Sequence, residues 1–123
     1  PLAVRLEAAR QEARETDRLL AVLRERLARM DPASEQAREG YLLLGNVEAR
    51  RRDWAAAADA WSHALAARFD PTLAAETAAA MYQRDGRLSA EAAALFRRAL
   101  AEAPPDAPWR PMAEKRLAEE GRQ

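Results

Sequence analysis

His63 is the only histidine in a 123-residue chain that has no cysteine. A single imidazole without a thiolate or a pair of carboxylates at ligand spacing makes a poor metal site. It also has no nucleophile to activate. Flanked in sequence by Trp61 and Ala64 on a helical pattern, it reads as a structural or surface histidine. The lack of cysteine excludes disulfides, thiolate metal sites, thiol catalysis and covalent haem attachment. The carboxylates alternate with arginines at helical spacing, as in REGYLLLGNVEARRRD over 38–53. That pattern is a solvated helix face with i,i+4 pairs. There is no phosphate loop, metal-binding helix motif or nucleophile elbow. The sequence therefore predicts no enzyme: no catalytic residue, no metal ligand and no cofactor. Binding is the work that remains.

The bulk properties narrow the partners. Acidic and basic residues number 20 each, so the net charge is zero. This lacks the basic surface of a nucleic-acid or membrane-surface binder. No apolar run reaches the roughly 18–20 residues that span a bilayer, and no signal peptide is visible. The chain opens on Pro1 rather than methionine, which reads as a processed protein or an excised piece whose targeting information and any membrane anchor lie elsewhere.

These residues must be positioned by helices. No segment alternates with period two, and apolar residues recur at intervals of three and four. The first helix is expected over about 1–30, with Leu6, Ala9, Ala13, Thr16, Leu20, Leu23, Leu27 and Met30 on one face. Two readings of that stripe stand. It is a coiled-coil seam joining two copies into a homodimer, or its strong C-terminal half docks on its own domain while the rest is solvated. Pro32 ends the helix. Ser34 or Asp31 caps a second helix over about 34–51, and Asp53 caps a third running to about 67. Asp70 or Thr72 caps a fourth that ends near 84, where Gly86 suits a left-handed C-terminal cap. Ser89 caps a fifth. A last helix is expected over about 108–120, with Pro108 and Pro111 both in its first turn. Trp109, between these prolines, reads as a residue that pins the last helix to the core. The short connections make neighbouring helices antiparallel.

The stretch RDWAAAADAWSHAL over 52–65 sets two tryptophans seven residues apart among alanines. Preceded by Tyr41, Leu44 and Gly45, and carrying Trp54, Ala57, Trp61, Ala64 and Leu65 within it, it resembles the tetratricopeptide repeat, a helical hairpin of roughly 34 residues. In that pattern Gly45 and Ala57 are the close crossing of two helices and Trp61 fills the space toward the next unit. Glu48 stands where an aromatic is usual, and Phe69 where a proline is usual. Pro71 follows two residues later, as in a second helix longer by half a turn. A weaker second unit carries Ala92 or Ala93, Phe96, Ala99, Leu100 and Pro104, after a turn with one extra residue. The expected architecture is all-α: an N-terminal helix over 1–33, two tetratricopeptide-like hairpins over 34–105, and a C-terminal capping helix over 106–123.

A closer resemblance lies in GRLSAEAAALFRRAL and APPDAPWRPMAEKRL. With the Arg- and Glu-rich first segment, these are similar to the C-terminal periplasmic domain of the CcmI (CycH) family of c-type cytochrome maturation proteins. The resemblance covers most of the chain from about Arg18 onward. Here the LFRRALAEAP helix runs straight into the DAPWRP turn, where such domains carry a further hairpin, so the groove would be shorter. The resemblance implies a chaperone-like role in the periplasm, holding apocytochrome c by its C-terminal helix, without catalysis. In such repeats the first helix of each hairpin lines the concave face. That places Glu39, Leu42, Leu43, Asn46 and Arg50 from the first unit, with Glu76, Gln83 and Arg84 from the second, as the peptide-binding residues. Asn46 would bond a peptide backbone, Arg50 and Arg84 a carboxylate or helix C-terminus, and Leu42 and Leu43 an apolar face. Two other readings are a generic repeat scaffold for another protein partner, and self-association through Leu20, Leu23, Leu27 and Met30.

Overall fold

A computed structural model describes residues 1–120. It contains six helices and, among the described residues, no strand: α1 (Leu2–Ala28), α2 (Glu35–Arg50), α3 (Trp54–Ala67), α4 (Pro71–Asp85), α5 (Ala90–Glu102) and α6 (Arg110–Ala118). No helix is long and apolar enough to cross a membrane among these residues. The last residues of the expected capping segment, 121–123, lie outside the described residues.

The helix starts follow from local chemistry. Four side chains accept a hydrogen bond from the backbone N–H three residues on: Ser34 from Ala37, Asp53 from Ala56, Asp70 from Leu73 and Ser89 from Ala92. Each satisfies one of the donors that a helix leaves unpaired at its N-terminus. Ser34 is thus the cap, while Asp31 accepts from the Ala33 N–H in the preceding turn. Gly86 closes α4 at φ +71° with its N–H on the Tyr82 carbonyl, the left-handed cap that glycine adopts without strain. At the end of the chain the structure departs from expectation. Pro108 lies in the turn before α6, and only Pro111 enters the first helical turn. α3 ends at Ala67, where its pattern ends, and the residues before Pro71 form an extended link beginning at Arg68 (φ −159°).

Helices α2 to α5 form two successive antiparallel pairs. Arg38 near the start of α2 meets Arg68 just past the end of α3, and the middles meet at Gly45 and Trp61. A Cβ on Gly45 would fall inside the Trp61 indole, 2.9 Å from Cε2 and closer still to Cδ1 and Nε1. The glycine is therefore what lets α2 and α3 cross. The main core runs from α3 through α4 and α5 to α6 and is mostly alanine, filled by Trp61, Leu73, Met81, Leu88 and Phe96. Alanine brings helix axes close, so few large side chains are needed to fill the interior.

The C-terminal half of α1 docks on α2 and α3. Leu20 and Leu27 are buried with Leu44 and Ala60, and Leu23, Met30, Tyr41 and Val47 pack around them. The four residues expected to make a seam between copies are therefore occupied within the chain. Leu2, Val4 and Leu6, in the first half, are exposed. Glu48 explains its own departure from the repeat pattern. It is fully buried beneath α1, where Arg24 reaches it at 2.6 Å and Arg51 at 3.0 Å. Arg51 also pairs with Asp17. A buried carboxylate is tolerable when its charge and lone pairs are met. α1 supplies the cation that an aromatic at this position would make unnecessary.

α6 lies beside α4 in the same direction. Trp109, at its start, donates from Nε1 to Thr72 Oγ1 at 3.1 Å, near the start of α4. Glu119, just past its end, accepts from the Tyr82 hydroxyl at 3.0 Å, near the end of α4. Trp109 thus pins α6 to the core. Arg110 fixes the junction by donating to the carbonyls of Leu100, Ala103 and Pro104, each at 2.8 Å. Two of these are orphan acceptors at the end of α5.

Candidate functional site

A groove runs between α2 and α4, with α3 behind it. On α2, residues four apart share a face, which brings Arg38, Leu42 and Asn46 to the groove. On α4 the steps of three and four bring Leu73, Glu76, Ala79, Ala80 and Gln83. Trp54 and Trp61, two helical turns apart on α3, reach the groove between them. At one end stand Arg38, Arg68 and Asp70. At the other are Arg51, Arg52, Asp53, Gln83 and Arg84. These concavities adjoin, sharing Glu76, Trp54 and Gln83 as walls.

Several of the charged side chains in the groove already have partners. Arg38 donates from Nε and Nη2 to the Arg68 carbonyl at 3.4 Å, which satisfies an acceptor just past the end of α3. Arg68 pairs with Glu35 at 3.1 Å. Arg84 forks onto both oxygens of Asp85 at 2.8 and 2.9 Å. That hydrogen bond holds the Asp85 carboxyl below its ordinary range and raises Arg84. Asp70 is committed to capping α4. Asn46 accepts from the Trp61 indole N–H at 3.3 Å through Oδ1. Its NH₂ makes no hydrogen bond among the described residues, while its oxygen orients the indole.

Glu76 differs. It stands at the junction of the two central concavities and makes no hydrogen bond or ion pair among the described residues. Partial removal from water, then repulsion from Asp70, raises its carboxyl above the ordinary value.

Of the eight residues expected to bind peptide, five meet in this groove: Leu42, Asn46, Glu76, Gln83 and Arg84. Glu39, Leu43 and Arg50 are exposed on α2 but line none of it. Glu39 and Leu43 each follow a groove residue by one position, about 100° of rotation. Arg84, expected to hold a carboxylate, is occupied by Asp85. Residues that sequence reasoning did not assign to the groove include Trp61, read as filling space toward the next unit, Trp54, and the charged Arg38, Arg51, Arg52, Asp53, Arg68 and Asp70. The signal for Arg38 was present, because it precedes Leu42 by four.

His63 lies outside the groove. Its ring stacks on Tyr41 with centroids 4.5 Å apart, and Nε2 is 3.9 Å from Asp59 Oδ2. Among the described residues no group of three or more His, Cys, Asp or Glu is placed to hold a metal. No family model, no curated protein and no solved structure matches this chain.

Proposed function

We propose that this chain is a protein-binding module that acts by capture rather than catalysis, with α2–α3 and α4–α5 as two tetratricopeptide-type hairpins. The observation that carries the reading is the line of adjoining concavities along α4. The middle one is walled by Trp54, Trp61, Ala79 and Ala80 beside Glu76 and Gln83, Leu42 lies in the next, and the outer ends carry arginine and aspartate. Stacked helical hairpins use such concave surfaces for protein partners. Aromatic and apolar walls with charged ends suit an amphipathic helix laid in a groove. The resemblance of DAPWRP and its neighbours supplies the identity of the partner: the C-terminal helix of apocytochrome c, held in the periplasm before haem attachment.

The test is a titration with a synthetic peptide of a c-type apocytochrome's C-terminal helix, beside a charge-matched scrambled peptide. The expected result is saturable binding of the first alone at micromolar or tighter affinity. Leu42→Asp, inside the groove, should abolish it, and Leu43→Asp, outside, should leave it intact. Equal binding of both peptides would overturn the cytochrome reading. Equal sensitivity to the two variants would overturn the groove.

A further inference from the structure

We propose that the concavity bounded by Trp54, Trp61, Glu76, Ala79, Ala80 and Gln83 is a receptor for a cationic side chain, lysine or arginine, projecting from the bound partner. This rests on the groove reading above and specifies the chemistry of its central contact.

The lining defines the ligand. Ala79 and Ala80 leave room on the α4 side, and two indoles stand opposite them. Such walls suit the aliphatic stem of a long side chain. An indole also attracts a cation placed over its face. Glu76 supplies the opposite charge, and Gln83 an amide oxygen beside it. Glu76 has no partner of its own among the described residues, and Asp70, another carboxylate, repels its charge. Arg68 and Arg84 are paired with Glu35 and Asp85, and Arg38 is held on the Arg68 carbonyl in the adjoining concavity. Glu76 is the one carboxylate lining this concavity, and it has no ion pair among the described residues. An apolar ligand group laid over it would bury that charge uncompensated. An anionic group would meet Glu76 and Asp70 together. A cation with an aliphatic stem answers both conditions.

The experiment follows the three indole N–H resonances of the intact chain by two-dimensional NMR, on adding N-acetyl-arginine amide or N-acetyl-lysine amide. N-acetyl-citrulline amide, close to arginine in shape but uncharged, is the control. We expect saturable shifts at Trp54 and Trp61 with the two cations, none at Trp109, and about tenfold weaker binding in Glu76→Gln. Equal shifts with citrulline, full binding by Glu76→Gln, or no shift at millimolar cation would each overturn the proposal. A partner peptide that binds the groove equally well to wild type and Glu76→Gln would overturn it too, and would leave the groove reading standing. Failure of every peptide, with the amino-acid amides still binding, would do the reverse.

Discussion

Replacing Gly45 by alanine should destabilise the protein, although alanine is the better helix former. On propensity alone the change would gain roughly 1 kcal/mol. The new methyl would lie within the Trp61 indole, 2.9 Å from Cε2 and nearer to Cδ1 and Nε1. The ring has little freedom to yield. It is 6 % exposed, sits among buried Ala57, Ala58 and Ala64, and is tied to Asn46 by its N–H. Overpacking of this kind costs about 1–3 kcal/mol, and a lost indole hydrogen bond adds about 1 kcal/mol. Set against the propensity gain, the net loss is about 1–3 kcal/mol. Urea unfolding followed by circular dichroism measures it. With a slope of about 1–3 kcal/mol per molar urea, the midpoint should fall by roughly 1 M at unchanged slope. Combining the change with Trp61→Leu, which removes the obstructing ring, should make the two effects strongly non-additive. A Gly45→Ala midpoint equal to or above wild type would refute the close-crossing argument, as would simple additivity in the double variant.

Other perturbations follow from the same geometry. Glu48→Ala should cost about 1–3 kcal/mol in urea unfolding, less than a fully enclosed ion pair because Arg24 can turn to solvent; Glu48→Leu should cost less, since the site is then filled without charge. Arg110→Ala should lose about 1–2 kcal/mol by exposing or orphaning the carbonyls at the end of α5, with hydrogen exchange rising first in α6. Glu76→Gln should be at least as stable as wild type at neutral pH. The folded carboxyl is raised, so the unfolded chain ionises first and native stability falls as pH climbs from the ordinary carboxylate value through the raised one. Below that window both states are protonated, and the difference in urea midpoint between Glu76→Gln and wild type should vanish at pH 3.

How much was legible beforehand can be argued residue by residue. Ser34, Asp53, Asp70, Ser89 and Gly86 were readable because a cap joins residues no more than four apart, and its chemistry is complete within that span. Gly45 and Trp61 were readable as a pair because the three-residue link of Arg51, Arg52 and Asp53 forces α3 back along α2. Of the expected groove, Leu42, Asn46, Glu76, Gln83 and Arg84 converged, since helical periodicity carries over to any face. Glu39 and Leu43 fell outside because an error of one residue in the face is a third of a turn.

The sequence by itself determined that the chain is helical, where each of the middle helices starts, and that it has no cysteine for thiol chemistry. Only the tertiary structure decided that α1 spends Leu20 and Leu27 on its own domain, and that Arg24 and Arg51 neutralise a buried Glu48. It alone set α6 beside α4 through Trp109–Thr72 and Tyr82–Glu119, and brought Glu76 of α4 into one concavity with Trp54 and Trp61 of α3. The physical reason is the range of the interactions. Caps and turns are closed by neighbours in sequence, whereas Arg24–Glu48, Trp109–Thr72 and Tyr82–Glu119 join residues 24 to 37 positions apart. They depend on the roll and axial offset of each helix against its neighbour, which the packing of the alanine faces sets and no local pattern encodes.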